Sequence, residues 1–473
     1  MKAIETRHTT EMAAASAGSL YRLVWRWHFF AGLICLPVLA IMAFTGALYL
    51  FREEISDLAY PSRLLPQASQ ERVALPLGTV IERVLTAYPG VLHQIELPQN
   101  ERRSLTLIVT PQDGSRSVLH VDPTDASVLA VREEAWQWDV IAKKLHSGSL
   151  LGRWANIAVE IVAGWCIVLI ISGTYLWWPR GQKSSAFSVR GSPGGRLWWR
   201  DLHAVTGALT GSVLLFLAAT GMPWTEIWGQ QFSALSKRFG VGHPVHVWEA
   251  VPQSTVPMIA QGEVPWTFSN ATIPASDTRH EKTNHKMHGA SPAKTQHAQW
   301  GLAPPAIGMD RAVEAFTGIG LQGGYILRLP FGETGAYTAL RFPQQVTDQR
   351  VVHLDQYSGR VLVDVGFTDY GAVAKGVEWG IGVHKGQEYG RMNQLAMLAA
   401  CLAILLLAFS SVQMWWKRRP KGQLAAPPRK ESDRLARGAA FIALSLGIFF
   451  PPLGASMLAA AALEWLWSRR ATT

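Results

Sequence analysis

Four stretches of 20 or more mostly apolar residues constrain this chain more than any other feature. They run roughly over Phe29–Phe51, Trp154–Trp178, Ala204–Trp224 and Met392–Trp416. At 1.5 Å per residue, each is long enough to cross a hydrocarbon core of about 30 Å. A wholly soluble fold is thereby excluded. Composition agrees: of 473 residues only 16% are charged, where an ordinary soluble domain carries about 25%. The first run is too long for a secretory signal peptide and no A-x-A site follows it, so it reads as a retained helix. A fifth apolar stretch, Phe441–Trp467, contains Pro451-Pro452 and reads either as one kinked span or as a re-entrant hairpin. The three cysteines, Cys35, Cys166 and Cys401, lie inside apolar runs, with no CxxC or CxxCH. That argues against a structural disulfide, a zinc ribbon, a thiolate iron–sulfur site or a covalently attached haem.

Basic residues orient the runs. Residues 1–26 carry four Lys/Arg against two Asp/Glu. Loop 179–200 has five (Arg180, Lys183, Arg190, Arg196, Arg200) against none, and 417–437 has eight against two. The long segments 52–153 and 227–391 are near balance, at 11 against 13 and 14 against 13. The positive-inside rule then puts the three basic segments in the cytoplasm and the two long ones outside, in what would be a periplasm. The net charge of +10 is mostly this topology signal; no basic helix with interleaved aromatics supports nucleic acid as a partner. Arg469 and Arg470 favour the hairpin, which returns the C-terminus to the cytoplasm. The expected division is a cytoplasmic N-terminus (1–26), helices at 27–51, 154–178, 203–226 and 392–416, periplasmic modules at 52–153 and 227–391, cytoplasmic segments at 179–202 and 417–437, and an apolar segment at 438–473.

The chain also repeats itself. His28-Phe-Phe-Ala-Gly32 matches His203-Ala-Val-Thr-Gly207, and Thr45-Gly46 matches Thr220-Gly221, all at an offset of 175. His146-x-Gly148-x-x-x-Gly152-Arg153 matches His384-x-Gly386-x-x-x-Gly390-Arg391, and Trp177-Trp178 matches Trp415-Trp416, at an offset of 238. Identities in register across paired blocks indicate two copies of one unit: helix, external domain, helix. Val118-Leu-His-Val-Asp122 resembles Val351-Val-His-Leu-Asp355, each followed by a turn and a β-rich run (Val128–Val131; Val361–Val365). Helical stretches precede them at Leu77–Ala87 and Met309–Phe316. The expected fold is thus membrane α-helical plus α+β, with one helix against a small antiparallel sheet in each periplasmic module. The second copy carries extra length at about 230–305, which reads as a solvated loop. Within it, 278–298 holds His280, His285, His288 and His297.

Of 14 histidines, four occupy the duplicated membrane-flanking positions: His28, His203, His146 and His384. One reading makes His-x-x-x-Gly an interfacial helix start. The other makes the four histidines axial ligands of two b-type haems, since neutral imidazole is a standard ligand for haem iron. Depth pairs His28 with His203 at the cytoplasmic side and His146 with His384 outside. Gly32, Gly207, Gly148 and Gly386 either let a flat macrocycle approach or let helices pack closely. Read as helical, the eight residues from His146 to Trp154 lift the outer pair about 12 Å above the core, leaving the two pairs some 40 Å apart. Glu160 and Glu226 are intramembrane acids, functional candidates unless they pair with Arg153 or Arg391. Those two arginines also suit haem propionates. The four insert histidines could bind a metal loosely, although they match no structural zinc spacing.

These residues resemble the PepSY-associated transmembrane helix proteins of bacterial inner membranes. The resemblance is carried by Trp27-His28-Phe-Phe-Ala-Gly32 with Thr45-Gly46-Ala-Leu-Tyr-Leu, by Leu145-His146-Ser-Gly148 leading to Tyr175-Leu-Trp-Trp-Pro-Arg180, by Leu202-His203 with Thr220-Gly221-Met-Pro-Trp224, and by Met414-Trp-Trp-Lys-Arg-Arg419. The external Val-Asp-Pro-Thr and Leu-Asp-Gln-Tyr-Ser-Gly stretches look like PepSY-type modules. The resemblance covers most of residues 20–420. It implies iron-linked membrane proteins, some of them di-haem ferric-siderophore reductases acting at the periplasmic side, with His28, His146, His203 and His384 as the haem ligands here.

Three functions compete at this level. The first is a membrane b-type cytochrome, a ferric-siderophore reductase drawing on an unidentified electron donor. The second is non-enzymatic: PepSY-type modules also occur in peptidase propeptides, so the outer domains would bind or restrain a periplasmic protein. The third is a permease, against which stand the few spans and a parallel rather than inverted duplication. Which siderophore is used and the oligomeric state leave no mark in the sequence.

Overall fold

The computed structural model describes the chain apart from Met1, 66–72, Asp113, 180–185, His243, Glu249, 278–305, 420–436 and 471–473. The histidine-rich stretch with His280, His285, His288 and His297 lies outside the described residues. Along the chain come α1 (Lys2–Leu50), α2 (Arg52–Ala59), α3 (Leu77–Ala87), β1 (Gly90–Leu97), β2 (Leu105–Pro111), β3 (Ser117–Val121) and β4 (Val128–Glu133). Then follow α4 (Trp138–His146), α5 (Arg153–Trp177), α6 (Arg196–Gly221), α7 (Trp228–Arg238), β5 (Gln253–Pro257) and β6 (Thr272–Pro274). The last part holds α8 (Met309–Gly318), β7 (Tyr325–Arg328), β8 (Ala336–Arg341), β9 (Arg350–Asp355), β10 (Val361–Gly366), α9 (Ala372–His384), α10 (Gly390–Arg418), α11 (Arg437–Phe449) and α12 (Pro451–Arg470). These elements form two units.

The helical unit comprises residues 1–50, 142–231 and 394–473. Four of its helices are long and apolar enough to cross a membrane: Ser19–Leu50, Arg153–Trp177, Arg196–Trp224 and Gly390–Arg418, with mean hydropathy 2.3, 2.1, 1.7 and 2.6. Their apolar side chains face outward in large number, Ile34, Phe44, Leu209 and Leu402 among them. In water such exposure is costly, so lipid is the medium that suits these helices.

The fifth apolar stretch resolves into a hairpin. A Cβ on Gly447 would lie 3.1 Å from the Gly454 Cα, whereas seven residues of continuous helix span about 10 Å. α11 and α12 therefore fold back on each other at Phe450-Pro451, where proline cannot supply the next helical N–H. Leu453 packs on Gly164 of α5, and the Trp165 indole donates to Ser456 Oγ at 2.9 Å. Arg26 of α1 pairs with Glu464 of α12 at 3.2 Å.

The other unit, residues 51–141 and 232–393, is built on one eight-stranded sheet in the order β10-β9-β8-β7-β1-β2-β3-β4. Every pairing in it is antiparallel. The order helix-then-four-strands occurs twice, as α3 with β1–β4 and α8 with β7–β10. Sequence reading expected two small sheets. Instead β1 pairs with β7, Ile95 opposite Leu327 and Gln94 opposite Arg328, so neither inner strand is left as an unsatisfied edge. One sheet face carries Leu105, Leu107, Leu119, Leu327, Val352 and Leu354 against Ile81, Val84 and Phe316 of α3 and α8. The strands form because these apolar residues alternate with polar ones such as Thr106 and His120. Asp310 of α8 accepts from the Gly78 N–H at 2.9 Å and so caps α3.

The expected solvated loop at 230–305 is corrected over its described part. Trp248, Met258, Trp266 and Phe268 are buried on the second face of the sheet against Val351, Val363 and Val365. These aromatics sit among Pro, Ser and Thr with no period of 2 or 3.6, so patterning could not reveal them.

Candidate functional site

His28 and His203 come together inside the helical unit. Each lies near the start of its span, on α1 and α6, and their ring centroids are 6.5 Å apart with the planes at 86°. The other two spans supply a hydroxyl to each ring. Ser172 Oγ of α5 is 2.8 Å from His28 Nδ1, and Ser410 Oγ of α10 is 3.1 Å from His203 Nδ1. Sequence reading missed both serines. They are 238 residues apart, the spacing of Trp177 and Trp415 on the same helices, so the signal was there.

The glycines divide by role. Gly32 and Gly207 lie four residues after their histidines, on the same helix faces. A Cβ at Gly32 would meet only Leu169 at 3.9 Å, and one at Gly207 only Leu407 at 3.7 Å. Neither contact is a close helix crossing. Gly148 and Gly386 serve turns instead, with φ of 74° and 71°, which a side chain would strain.

His146 corrects the expected depth. Beyond it the chain does not continue as helix. Gly148, a 3₁₀ turn over Ser149–Leu151 and Gly152 (φ 90°) reverse it before α5 begins at Arg153. Asn156 ties the reversal by donating to the Ser147 carbonyl at 2.7 Å. The ring thereby reaches Thr45 of α1, Oγ1 to Nδ1 3.2 Å, and lies against Gly46. From His28 to Thr45 is 17 residues of one helix, about 26 Å, not 40 Å. His384 is the last residue of α9, in the sheet-bearing unit, where Asn393 donates to the Val383 carbonyl at 2.9 Å.

Glu226 and Glu160 have structural partners. Glu226 pairs with Arg153 at 2.9 Å. Glu160, 2% exposed, accepts from the backbone N–H groups of Ile227 and Trp228 at 2.9 Å each, capping the start of α7. Arg391 pairs with Glu54 at 2.5 Å. In the sheet, His120 and His353 are buried, and desolvation takes their pKa to about 4 and about 3. His353 Nδ1 meets Thr338 Oγ1 at 2.8 Å, while the buried Nε2 atoms of His353 and His120 have no hydrogen-bond partner.

Two imidazoles with centroids 6.5 Å apart can share one metal ion. Two metal–nitrogen bonds of ~2 Å plus the half-rings beyond them come to roughly 6 Å. Among the described residues no group of three or more His, Cys, Asp or Glu is placed to hold a metal.

The family described as PepSY-associated TM region matches residues 25–418 of the chain. No curated protein matches it.

Proposed function

The chain belongs to the family of PepSY-associated TM regions, and from that membership and the adjacent His28 and His203 imidazoles we propose an inner-membrane b-type cytochrome that passes electrons outward to a ferric siderophore or another ferric chelate. The observation that carries this reading is the His28–His203 pair, which four membrane-length helices position between them. The residues fit a haem: the rings are one iron apart, and Gly32 and Gly207 leave each ligand's helix face without a Cβ. Leu169 and Leu407 give the flanks the apolar surface that a macrocycle needs.

On this reading His28 and His203 hold the inner haem. His146, its ring fixed by Thr45, would be a ligand of the outer one. Bound haem supplies reversible one-electron transfer. The chain's own work is to orient four imidazoles, exclude water with apolar helices and space the two sites along α1. One electron delivered to the chelate turns Fe(III) into Fe(II), a softer ion that hard oxygen donors hold less well, so iron is released. We read the offsets of 175 and 238 as an internal duplication. The recurring order of helix and four strands supports that, with the sheet-bearing unit on the periplasmic side.

The test is spectroscopic. Purified protein should show a reduced b-type absorption band, and a ferric chelate should reoxidise it. His28→Ala and His203→Ala should each remove the same haem. A colourless wild-type protein, or full haem content in all four histidine variants, overturns the reading.

A further inference from the structure

We propose that Ser172 and Ser410 are positioning residues that set the tautomer of His28 and His203, so that each presents an unprotonated Nε2 to the haem iron. The inference rests on the cytochrome reading above and deepens it.

A serine hydroxyl has one hydrogen to give and two lone pairs to receive with. Ser172 Oγ lies 2.7 Å from the Val168 carbonyl and 3.2 Å from that of Leu169, four and three residues back on its own helix. Carbonyls only accept, so the hydroxyl hydrogen goes to them, the usual habit of serine inside a helix. The 2.8 Å contact with His28 Nδ1 then needs its hydrogen from the ring. Nδ1 is the protonated nitrogen and Nε2 keeps its lone pair. Ser410 repeats the arrangement, with the Leu407 carbonyl and His203 Nδ1 each at 3.1 Å. Thr45 repeats it a third time, 2.7 Å from the Ile41 carbonyl and 3.2 Å from His146 Nδ1. Three ligand candidates thus meet the same device, built from two residue types on three helices.

Had the hydroxyl donated to Nδ1 instead, Nε2 would carry the hydrogen and could not ligate. A hydroxyl also accepts more weakly than a carboxylate. It fixes the ring without pushing it towards imidazolate, which would favour Fe(III) and depress the potential.

The experiment uses full-length protein in detergent, with Ser172→Ala, Ser410→Ala, the conservative Ser172→Thr and the isosteric Ser172→Cys. Two quantities are read: haem lost to excess apomyoglobin, and the midpoint potential of each haem by redox titration. Each alanine should weaken retention of the His28–His203 haem by about 10–100-fold and move its potential positive. The His146 haem should stay unchanged as the internal control for folding. Threonine should restore both readouts, since its hydroxyl can make the same pair of bonds. Cysteine, which keeps the volume but accepts poorly, should fall between, and it serves as the test if alanine prevents accumulation. Wild-type retention and potential in both the alanine and cysteine variants would overturn the proposal while leaving the cytochrome standing. Absence of haem from wild type would fail the parent reading instead.

Discussion

Thr45 of α1 and His146 at the end of α4 are hydrogen-bonded, Oγ1 to Nδ1 at 3.2 Å, across 101 residues of sequence. The contact brings a ring from outside the spans down beside Gly46, within the first of them. Thr45→Val keeps the shape and removes the acceptor. We expect the His146 haem to be held about 10–100-fold less tightly and the His28–His203 haem to be unaffected. Equal loss of both haems would mean that Thr45 acts on packing alone.

Glu160 should matter for stability rather than transport. Its carboxylate closes two backbone N–H groups at the start of α7 from a nearly dry position. Glu160→Ala leaves both unpaired. Hydrogen bonds to a charged group contribute about 1.5–3 kcal/mol each, so a clear fall in melting temperature is expected, smaller for Glu160→Gln, which retains one acceptor. Unchanged melting of Glu160→Ala would reassign this residue to function.

Acid should weaken the sheet-bearing unit. His353 and His120 are neutral when folded, with pKa near 3 and 4, against an ordinary 6.5. Between about pH 6.5 and 4 the unfolded chain binds protons that the folded chain refuses. Stability therefore falls as pH falls through that window, by up to about 1.4 kcal/mol per pH unit for each histidine. Trp248 stands edge-on to His353 with centroids 5.4 Å apart, so tryptophan fluorescence at pH 7 and pH 5 should follow the loss. The double variant His120→Gln with His353→Gln should melt lower at pH 7 but with a flatter pH slope. An undiminished slope would assign the pH dependence to other groups.

Reporter fusions decide the orientation. A reporter joined after Arg190 or Arg429 should behave as cytoplasmic, and one within 90–120 or 340–360 as periplasmic, following charge asymmetries of five to none and eight to two. The reverse pattern would end the outward-electron reading.

Deletion of 278–298 should spare haem content and membrane insertion, because this stretch has no apolar periodicity and no counterpart in the first half of the chain. Haem absorbance and ferric reduction beside wild type measure this. Haem loss would show that the stretch reaches the helices.

The sequence by itself determined the membrane helices, because crossing lipid demands long apolar runs and nothing local can imitate them. It also determined α3, α8, β3, β4, β9 and β10, whose apolar stretches recur in both halves of the chain, and the four histidines, which a repeated offset exposed. Tertiary structure decided what depends on partners distant in the chain. Whether Phe441–Trp467 was one span or two helices turned on Gly447 meeting Gly454. The joining of two sheets turned on β1 and β7, whose pairing spans more than 200 residues and leaves no local trace. Glu226 found Arg153 while Glu160 found a helix start, a choice that two acids in similar apolar runs cannot announce. The serines behind His28 and His203 belong to other helices. Only folding brings a hydroxyl with its own proton already committed against an imidazole that must supply one.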